Sequence, residues 1–399
     1  MLTRLVSTMA SRIGLGLGLQ RKLVFAVPGC ETVAQNLGEP SSLPASSIAR
    51  SGGTEVIIDG RFQYVPSTYA NFTDGTPNIE LGGFTPKNIV RGRDIVFFAS
   101  FHTPESTMYS FHSLIVLLQS HIKSMTIVAP FFPFATMERV SKEGVVATAN
   151  TTAVLLNNLP SCGAPTELVL FDLHTLQNRF FFHGFMCPTL LSGIPLLRSH
   201  PVTREITYVF FPDEGAKKRF STMFPGLKTG HCEKVRRGEE RVIRVVDPEG
   251  YEFRGATILL VDDLVRTGGT LRNSAAALKG LGASKIVAYC THAAGTVEEL
   301  MTFSKTSPTA WLSTSLSQDT ETGDTGEEGA TGEMGAAGEV GVTGGEGTTG
   351  GKRPLCIDTL LLTDSVPQTV AELPEGDVFA ILPLHSLLRA HLFPPIRSE

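Results

Sequence analysis

The sequence has few cysteines, no long apolar run and no excess of positive charge, and each absence excludes a class of protein. Its six cysteines are scattered without a CxxC pair, so neither a disulfide framework nor a zinc site is expected, and a reducing compartment fits. No run of 18 uncharged apolar residues occurs, so no membrane span is expected. The net charge of −5 disfavours nucleic-acid or membrane-surface binding, because no basic excess exists to neutralise phosphates.

The 399 residues, 42% of them hydrophobic, are enough for two domains of ordinary size. Helical periodicity occurs between several short apolar runs, for example at Leu271, Ala275 and Leu278, with Gly282 as a C-cap. Strands alternating with helices predict an α/β fold with mainly parallel sheets, in domains spanning 23–195 and 196–399. The apolar runs read as strands are Leu23–Val27, Asp94–Ser100, Thr126–Ala129, Leu168–Phe171, Ile206–Phe211, Thr257–Val261, Lys285–Cys290 and Ile357–Leu362.

The first 22 residues are basic, contain hydroxyl groups and lack acids, since no Asp or Glu occurs before Glu31. Such a start resembles a mitochondrial presequence, and the alternative is a flexible amino-terminal tail. We expect a cytoplasmic protein, with a mitochondrial location as the alternative.

A glycine falls at every third position from Gly323 to Gly350, separated by residues such as Glu, Thr, Ala and Asp and by no Pro, Lys or Arg. A collagen triple helix needs imino acids, so this tract does not predict one. We interpret residues 313–353 as a disordered acidic insert in a surface loop.

One stretch carries most of the chemistry, and it reads Ala256-Thr-Ile-Leu-Leu-Val-Asp-Asp-Leu-Val-Arg-Thr-Gly-Gly-Thr270. A buried strand ends in two acids, and a small-residue loop then opens a helix. Glycines let backbone N–H groups close around a phosphate, and the helix N-terminus adds a favourable dipole. The acids accept hydrogen bonds from a sugar diol, so the pattern suits ribose 5-phosphate. No GxxxxGK[ST] Walker loop is present.

This motif resembles the phosphoribosyl pyrophosphate (PRPP) loop shared by type I phosphoribosyltransferases and ribose-phosphate pyrophosphokinases. Three further strand-end segments resemble pyrophosphokinase motifs, in that family's order: Pro130–Ala135, Asp172–His174 and Pro212–Arg219. The resemblance is greatest to the plant-type branch and covers residues 23–311 and 354–392. It implies two tandem type I phosphoribosyltransferase-like domains, ATP and ribose 5-phosphate as substrates, Mg²⁺ as cofactor, and a homo-oligomer.

The resemblance also assigns residues. Ribose 5-phosphate binding is implied for Asp262, Asp263, Arg266, Thr267, Gly268, Gly269 and Thr270. ATP binding is implied for Phe132, Phe134, Glu138, Arg139 and His174, with the two phenylalanines either facing adenine or lying in the core. His174 and Asp213 match magnesium-associated positions; Asp213 is the better oxygen ligand, and His174 could instead hold a phosphate oxygen. Lys234 and Arg236 match the basic residues of a mobile catalytic loop, although such a charge run alone indicates a solvated surface loop.

Two departures from the family pattern bear on the nucleotide. Thr136-Met137-Glu138 replaces the bacterial-type Arg-Gln-Asp, and Arg266 stands where that type has Asp and the plant type has Gln. Arg266 could grip a phosphate or point outward, and the sequence leaves both open. The alternatives to a pyrophosphokinase are a phosphoribosyltransferase and a non-catalytic regulatory homologue.

Overall fold

The computed structural model describes residues 21–37, 56–58, 61–237, 240–246, 248–304, 356–374 and 376–393. The predictions for the amino-terminal 20 residues and for the 313–353 insert lie outside these ranges. The chain forms two compact units, the first containing Met1–Ala129, Ala153–Val169 and Phe180–Thr189, and the second containing Pro130–Thr152, Leu170–Arg179 and Leu190–Glu399. The domain boundary between residues 195 and 196 stays a prediction.

The strands within these ranges are β1 (Lys22–Ala26), β2 (Val56–Ile58), β3 (Phe62–Tyr64), β4 (Thr68–Asn71), β5 (Pro77–Glu80), β6 (Asp94–Phe98), β7 (Ser124–Ala129), β8 (Thr166–Phe171), β9 (Met186–Leu191), β10 (Tyr208–Phe211), β11 (Lys228–Arg237), β12 (Glu240–Val245), β13 (Thr257–Val265), β14 (Lys285–Ala293), β15 (Thr359–Thr363) and β16 (Phe379–Leu382). The α-helices are α1 (Glu31–Asn36), α2 (Pro104–Leu118), α3 (Thr148–Asn157), α4 (Glu214–Phe220), α5 (Gly269–Gly280), α6 (Val297–Met301), α7 (Pro367–Val370) and α8 (His385–Leu392).

Two seven-stranded sheets dominate the described residues. The first has the order β2-β3-β1-β6-β7-β8-β9, and the second has the order β12-β11-β10-β13-β14-β15-β16. In each, an antiparallel strand lies at one edge (β2 on β3, β12 on β11), and the pairs β1–β6–β7 and β10–β13–β14–β15–β16 are parallel. The expected fold class, two tandem domains with mainly parallel sheets flanked by helices, is confirmed.

The strand positions follow the apolar runs, because a strand covered on both faces needs an almost continuous apolar sequence. In β13, Ile258 through Val261 are at most 1% exposed. At the end of α5, Gly282 has a φ of 106° and Ala283 N donates to Leu278 O at 3.2 Å, so the predicted glycine C-cap is confirmed.

Two expectations about the strands and loops of the second unit are wrong. The strand predicted to end at Val261 continues to Val265, because its pairing with β14 extends to the Val265–Ala293 pair. The acids Asp262 and Asp263 therefore lie within β13. The segment around Lys234, expected as a loop, lies in β11, where Lys234 pairs with Ile243 of β12. In the residues that the structure describes, no helix is long and apolar enough to cross a membrane.

Candidate active site

The loop after β13 is shaped by Gly268. This residue has a φ of 73°, which favours glycine, and a Cβ there would overlap the ring of Phe303. Gly268 is also the N-cap of α5, and it offers no side chain to cap the first turn. Gly269 N donates to Thr267 Oγ1 at the long distance of 3.5 Å, and the N-terminus of α5 favours an anion placed there. The predicted phosphate loop therefore leads directly into a helix N-terminus, and its role in phosphate binding stays a prediction.

Arg272 of α5 fixes the other side of the same loop. Its Nη2 donates to Thr267 O at 2.5 Å and its Nη1 to Thr302 Oγ1 at 2.6 Å, while the guanidinium lies 4.7 Å from the centre of the Phe303 ring. These contacts hold the backbone of Thr267 in place. The Thr267 side chain remains exposed, so its hydroxyl is accessible to a ligand.

The two acids of β13 differ in their electrostatics. Burial, followed by the neighbouring charge of Asp263, raises the pKa of Asp262 well above its ordinary value. Burial also opposes the charge of Asp263, but the hydrogen bond from His174 and the charge of Arg219 outweigh it and lower the pKa of Asp263. The two neighbouring carboxyl groups thus have pKa values shifted in opposite directions, and their oxygens can accept hydrogen bonds from a sugar diol.

Asp263 is held by two cationic side chains. His174 Nδ1 donates to Asp263 Oδ2 at 2.8 Å, and Arg219 Nη1 lies 3.3 Å from the same oxygen. Arg219 Nη1 also donates to His174 O at 3.1 Å. The hydrogen bond to Asp263 raises the pKa of His174, although burial opposes this. Since the His174 side chain is 45% exposed, its imidazole stays accessible to a ligand.

The turn that carries His174 depends on Asp172. Asp172 has a φ of 32°, a conformation that L residues rarely adopt. Its buried Oδ2 accepts hydrogen bonds from Gly193 N at 2.8 Å and Thr291 Oγ1 at 2.6 Å, which stabilise the strained turn. A Cβ at position 193 would collide with the Tyr289 hydroxyl, so this position needs glycine.

The segment expected to bind ATP is anchored by side chains from the 170–179 region. Asn178 Nδ2 donates to Ala135 O at 2.9 Å, and the Thr175 hydroxyl donates to Glu138 Oε1 at 3.2 Å. Arg139, whose side chain is 89% exposed, pairs with Glu138 at 3.4 Å. The short 3-10 helix Pro133–Thr136 is thereby held in one position.

The two candidate adenine-facing phenylalanines differ in accessibility. Phe132 is 4% exposed and belongs to the core, whereas Phe134 is half-buried and packs edge-on against it, with ring centres 5.5 Å apart. Phe132 also lines a cavity of about 10 Å³, shared with His174 and Asp263, which is room for roughly one water molecule. Of the two rings, Phe134 is the accessible surface for a nucleobase.

Arg266 reaches the same segment. Its Nη2 donates to Thr136 Oγ1 at 3.2 Å, so the two departures from the family pattern are in contact.

The remaining predicted residues have separate local roles. Asp213 is exposed and is the N-cap of α4, where its Oδ1 accepts from Ala216 N at 2.7 Å. Lys234 is exposed on β11. Arg236 pairs with Arg241 in the β11–β12 hairpin, and its side chain lies outside the described residues. Among the described residues, no group of three or more His, Cys, Asp and Glu is arranged to hold a metal ion.

Sequence reasoning missed Arg219 as a partner of the site. The segment Pro212–Arg219 resembles a family motif, but no role was assigned to Arg219 itself. Apolar Ala216 and Phe220 lie beside Arg219 at helical spacing and are buried, which is consistent with an inward-facing Arg219, but the sequence does not identify Asp263 as its partner. Arg219 Nη2 is buried with no hydrogen-bond partner in the described part of the chain.

The chain is similar to a known domain family and to several known proteins. A phosphoribosyl transferase domain model matches residues 233–311, which include β13 and the phosphate loop. Two rice proteins, "Ribose-phosphate pyrophosphokinase 3, chloroplastic" and "Ribose-phosphate pyrophosphokinase 4", are each 40% identical over 56% of this chain. The matched part is about half (54%) of the first rice protein and 69% of the second.

Two more proteins extend the comparison. The spinach "Ribose-phosphate pyrophosphokinase 3, mitochondrial" is 39% identical over 56% of this chain and 55% of its own length. The crystal structure of a phosphoribosylpyrophosphate synthetase from Mycobacterium smegmatis is similar with a TM-score of 0.60, covering 94% of this chain and 98% of that one. Its identity is 19%, so this likeness concerns the fold alone.

Proposed function

The chain belongs to the ribose-phosphate pyrophosphokinase family, and we propose that it transfers the pyrophosphoryl group of ATP to the 1-hydroxyl of ribose 5-phosphate. The oxygen of this hydroxyl forms a bond to the β-phosphorus of ATP, and the bond from that phosphorus to the oxygen bridging the α-phosphate breaks. The hydroxyl proton is released, and the products are PRPP and AMP.

The observation that carries this proposal is the arrangement at the end of β13. The N-terminus of α5 offers backbone donors to a 5-phosphate, and Asp262 and Asp263 lie just before the loop, where they can bind the sugar hydroxyls. A phosphate site and a diol site in this order along one strand and loop suit a ribose phosphate. Thr267 and Thr270 add hydroxyl donors beside the phosphate.

We assign phosphate binding to His174 and cation binding to Asp213. A raised pKa favours the imidazolium, which donates hydrogen bonds and is a poor metal ligand. Mg²⁺ is commonly held by one or two carboxylates together with substrate phosphates and water, so a single exposed aspartate such as Asp213 fits it. When bound, Mg²⁺ would neutralise charge on the triphosphate.

Lys234 and Arg236 are proposed as the residues that stabilise the charged phosphoryl centre. Transfer of this kind depends on positioning and on cations more than on covalent chemistry. An exposed hairpin can bring a cation to bound substrates and exclude water.

The test is an incubation of the protein with ATP, ribose 5-phosphate and Mg²⁺, followed by ³¹P NMR. We expect AMP and PRPP to appear in equal amounts. Absence of both from well-folded protein would contradict the proposal and favour a non-catalytic homologue. A phosphoribosyltransferase would instead consume added PRPP in the presence of a nucleobase, an outcome favoured only by the match to the phosphoribosyl transferase domain.

The assembly and compartment are also proposals from family membership. We propose a homo-oligomer, which light scattering after size-exclusion chromatography tests by giving a mass that is a multiple of 42.9 kDa. A mass equal to one chain would contradict it.

We propose a cytoplasmic location; relatives named chloroplastic and mitochondrial make organelles the alternative, and a shortened amino terminus in the native protein would favour them.

A further inference from the structure

Arg266 is held at both its backbone and its side-chain tip, although it lies on the surface. The preceding carbonyl, Val265 O, accepts hydrogen bonds from Ala294 N at 2.8 Å and Gly295 N at 3.0 Å. A Cβ at position 295 would collide with the carbonyl of Arg266, so the two backbones pack closely. The main chain that carries this arginine therefore has little freedom.

Thr136 holds the other end of Arg266. The Thr136 hydroxyl accepts from Arg266 Nη2 at 3.2 Å and donates weakly to Pro133 O at 3.4 Å. The hydroxyl can accept the first hydrogen bond and donate the second at the same time. Thr136 is itself positioned by the anchored 3-10 helix. An arginine tip fixed in this way loses little side-chain entropy when it binds a further group.

Arg266 has free hydrogen-bonding capacity. Its guanidinium has five N–H donors, and among the described residues its side chain has one hydrogen bond and no carboxylate in ion-pairing range. Two other arginines of the site are less suited to binding a further group. Arg272 is bonded to Thr267, and Arg219 is paired with Asp263 while its remaining Nη2 is buried. Arg266 is thus an exposed, pre-positioned cation whose remaining donors match the oxygens of a phosphate.

We propose that Arg266 binds a phosphate group of the nucleotide triphosphate and not the 5-phosphate of the sugar. This rests on the proposed function above. The 5-phosphate already has donors at the N-terminus of α5. The Arg266 tip is held instead by Thr136, in the segment that carries the accessible ring of Phe134 and the exposed Arg139. Thr136 acts as a positioning residue, because it acts through Arg266.

The test measures binding without catalysis, by titrating α,β-methylene-ATP with Mg²⁺, and separately ribose 5-phosphate, into the full chain. Arg266→Gln should weaken binding of the nucleotide analogue by about tenfold or more, the loss expected for a charge-assisted hydrogen bond, and change ribose 5-phosphate binding less than twofold. Thr136→Val should weaken nucleotide binding by a few-fold. The double variant should match Arg266→Gln alone, because Thr136 has no separate contribution.

The matched control is Arg254→Gln, since Arg254 is another exposed arginine and lies before the start of β13. It should change neither titration. Weaker binding of ribose 5-phosphate with unchanged nucleotide binding in Arg266→Gln would overturn the proposal, and so would full additivity of the two substitutions. These titrations do not need product formation, so they stay informative even if the protein makes no PRPP.

Discussion

The two sheets have the same number of strands and a parallel strand at their centre, but the centres end differently. In the first unit, β6 is followed by Ser100, whose backbone N–H and carbonyl bond the Ser110 hydroxyl at 3.1 and 3.0 Å. In the second unit, β13 carries Asp262 and Asp263 among its last residues before Val265 and then leads into a glycine loop. The end of β6 is closed by a serine hydroxyl, whereas the end of β13 presents two carboxyl groups and the backbone donors at the N-terminus of α5. The shared strand layout therefore does not by itself account for the proposed phosphate site, which depends on the residues at the end of one strand.

The largest expected effect comes from the cation of the β11–β12 hairpin. Lys234→Ala should lower turnover by roughly a thousandfold, the size found when a cation is removed from a phosphoryl-transfer site. The melting temperature should hardly change, because Lys234 is exposed. The control is Arg244→Ala, another exposed cation on the same hairpin, which should keep its activity. An unchanged rate in Lys234→Ala would show that the catalytic assignment is wrong.

The ion pairs of the two units provide the second test. Asp263→Asn leaves Arg219, only 11% exposed, without its carboxylate, and should lower the free energy of unfolding by about 3 kcal/mol. In the first unit, Asp94→Asn removes a pair with Lys123, whose side chain is 62% exposed, and should cost less than about 1 kcal/mol. Urea denaturation measures both values. Equal losses of unfolding free energy in the two variants would contradict the expected difference between the buried and the exposed ion pair.

Two glycines with positive φ give the third test. Gly268→Ala combines an unfavourable φ with overlap against Phe303, and should weaken ribose 5-phosphate binding at least tenfold while destabilising the fold by roughly 1–3 kcal/mol. Gly75, between β4 and β5, has a φ of 85° but open space around it, so Gly75→Ala should cost only about 1 kcal/mol and leave binding unchanged. Calorimetric titration and thermal melts of both variants check this.

The smallest effect concerns pH. Burial raises the pKa of Asp364 to about 6, while its Oδ1 accepts from Leu384 N at 2.7 Å. The folded protein then keeps a proton that the unfolded chain loses near pH 4, so stability falls as the pH rises from about 4 to about 6. Asp364→Asn should remove this loss. Between about pH 4 and about pH 6, its melting temperature should therefore rise relative to that of the unmodified protein. Asp94→Asn should show the opposite trend, since hydrogen bonds and Lys123 outweigh burial and lower the pKa of Asp94. If the melting temperatures of Asp364→Asn and Asp94→Asn changed with pH in the same way relative to the unmodified protein, the pKa shifts assigned to both aspartates would be contradicted.

Much of the fold and part of the site could be predicted from sequence. Apolar runs marked the parallel strands because these are buried on both faces, and the glycines marked the loop after β13. The hairpin around Lys234 was missed because charged residues interrupt the short apolar stretches of both β11 and β12, so neither strand has a continuous apolar run. The end of β13 was misplaced because two acids usually mark a surface, whereas Asp263 is buried by its pairing with Arg219 and His174.

The cationic partners were harder to predict than the acids. Nothing in the local sequence connects Arg219 with Asp263, or Arg266 with Thr136, which are 130 positions apart. Such pairs depend on how the second unit brings strand ends together, and a single sequence does not show this. The opposite pKa shifts of Asp262 and Asp263 have the same origin, since they depend on which acid contacts His174 and Arg219.

Whether the end of β13 binds ribose 5-phosphate is tested most directly by calorimetry. The sugar phosphate is titrated into the unmodified protein, Asp263→Asn and Ser110→Ala. If the end of β13 is the sugar-phosphate site, the unmodified protein and Ser110→Ala should bind one ligand per chain with equal affinity. Asp263→Asn should bind at least tenfold more weakly while remaining folded in circular dichroism. Equal affinity in all three proteins, or no binding to the unmodified protein, would contradict the account.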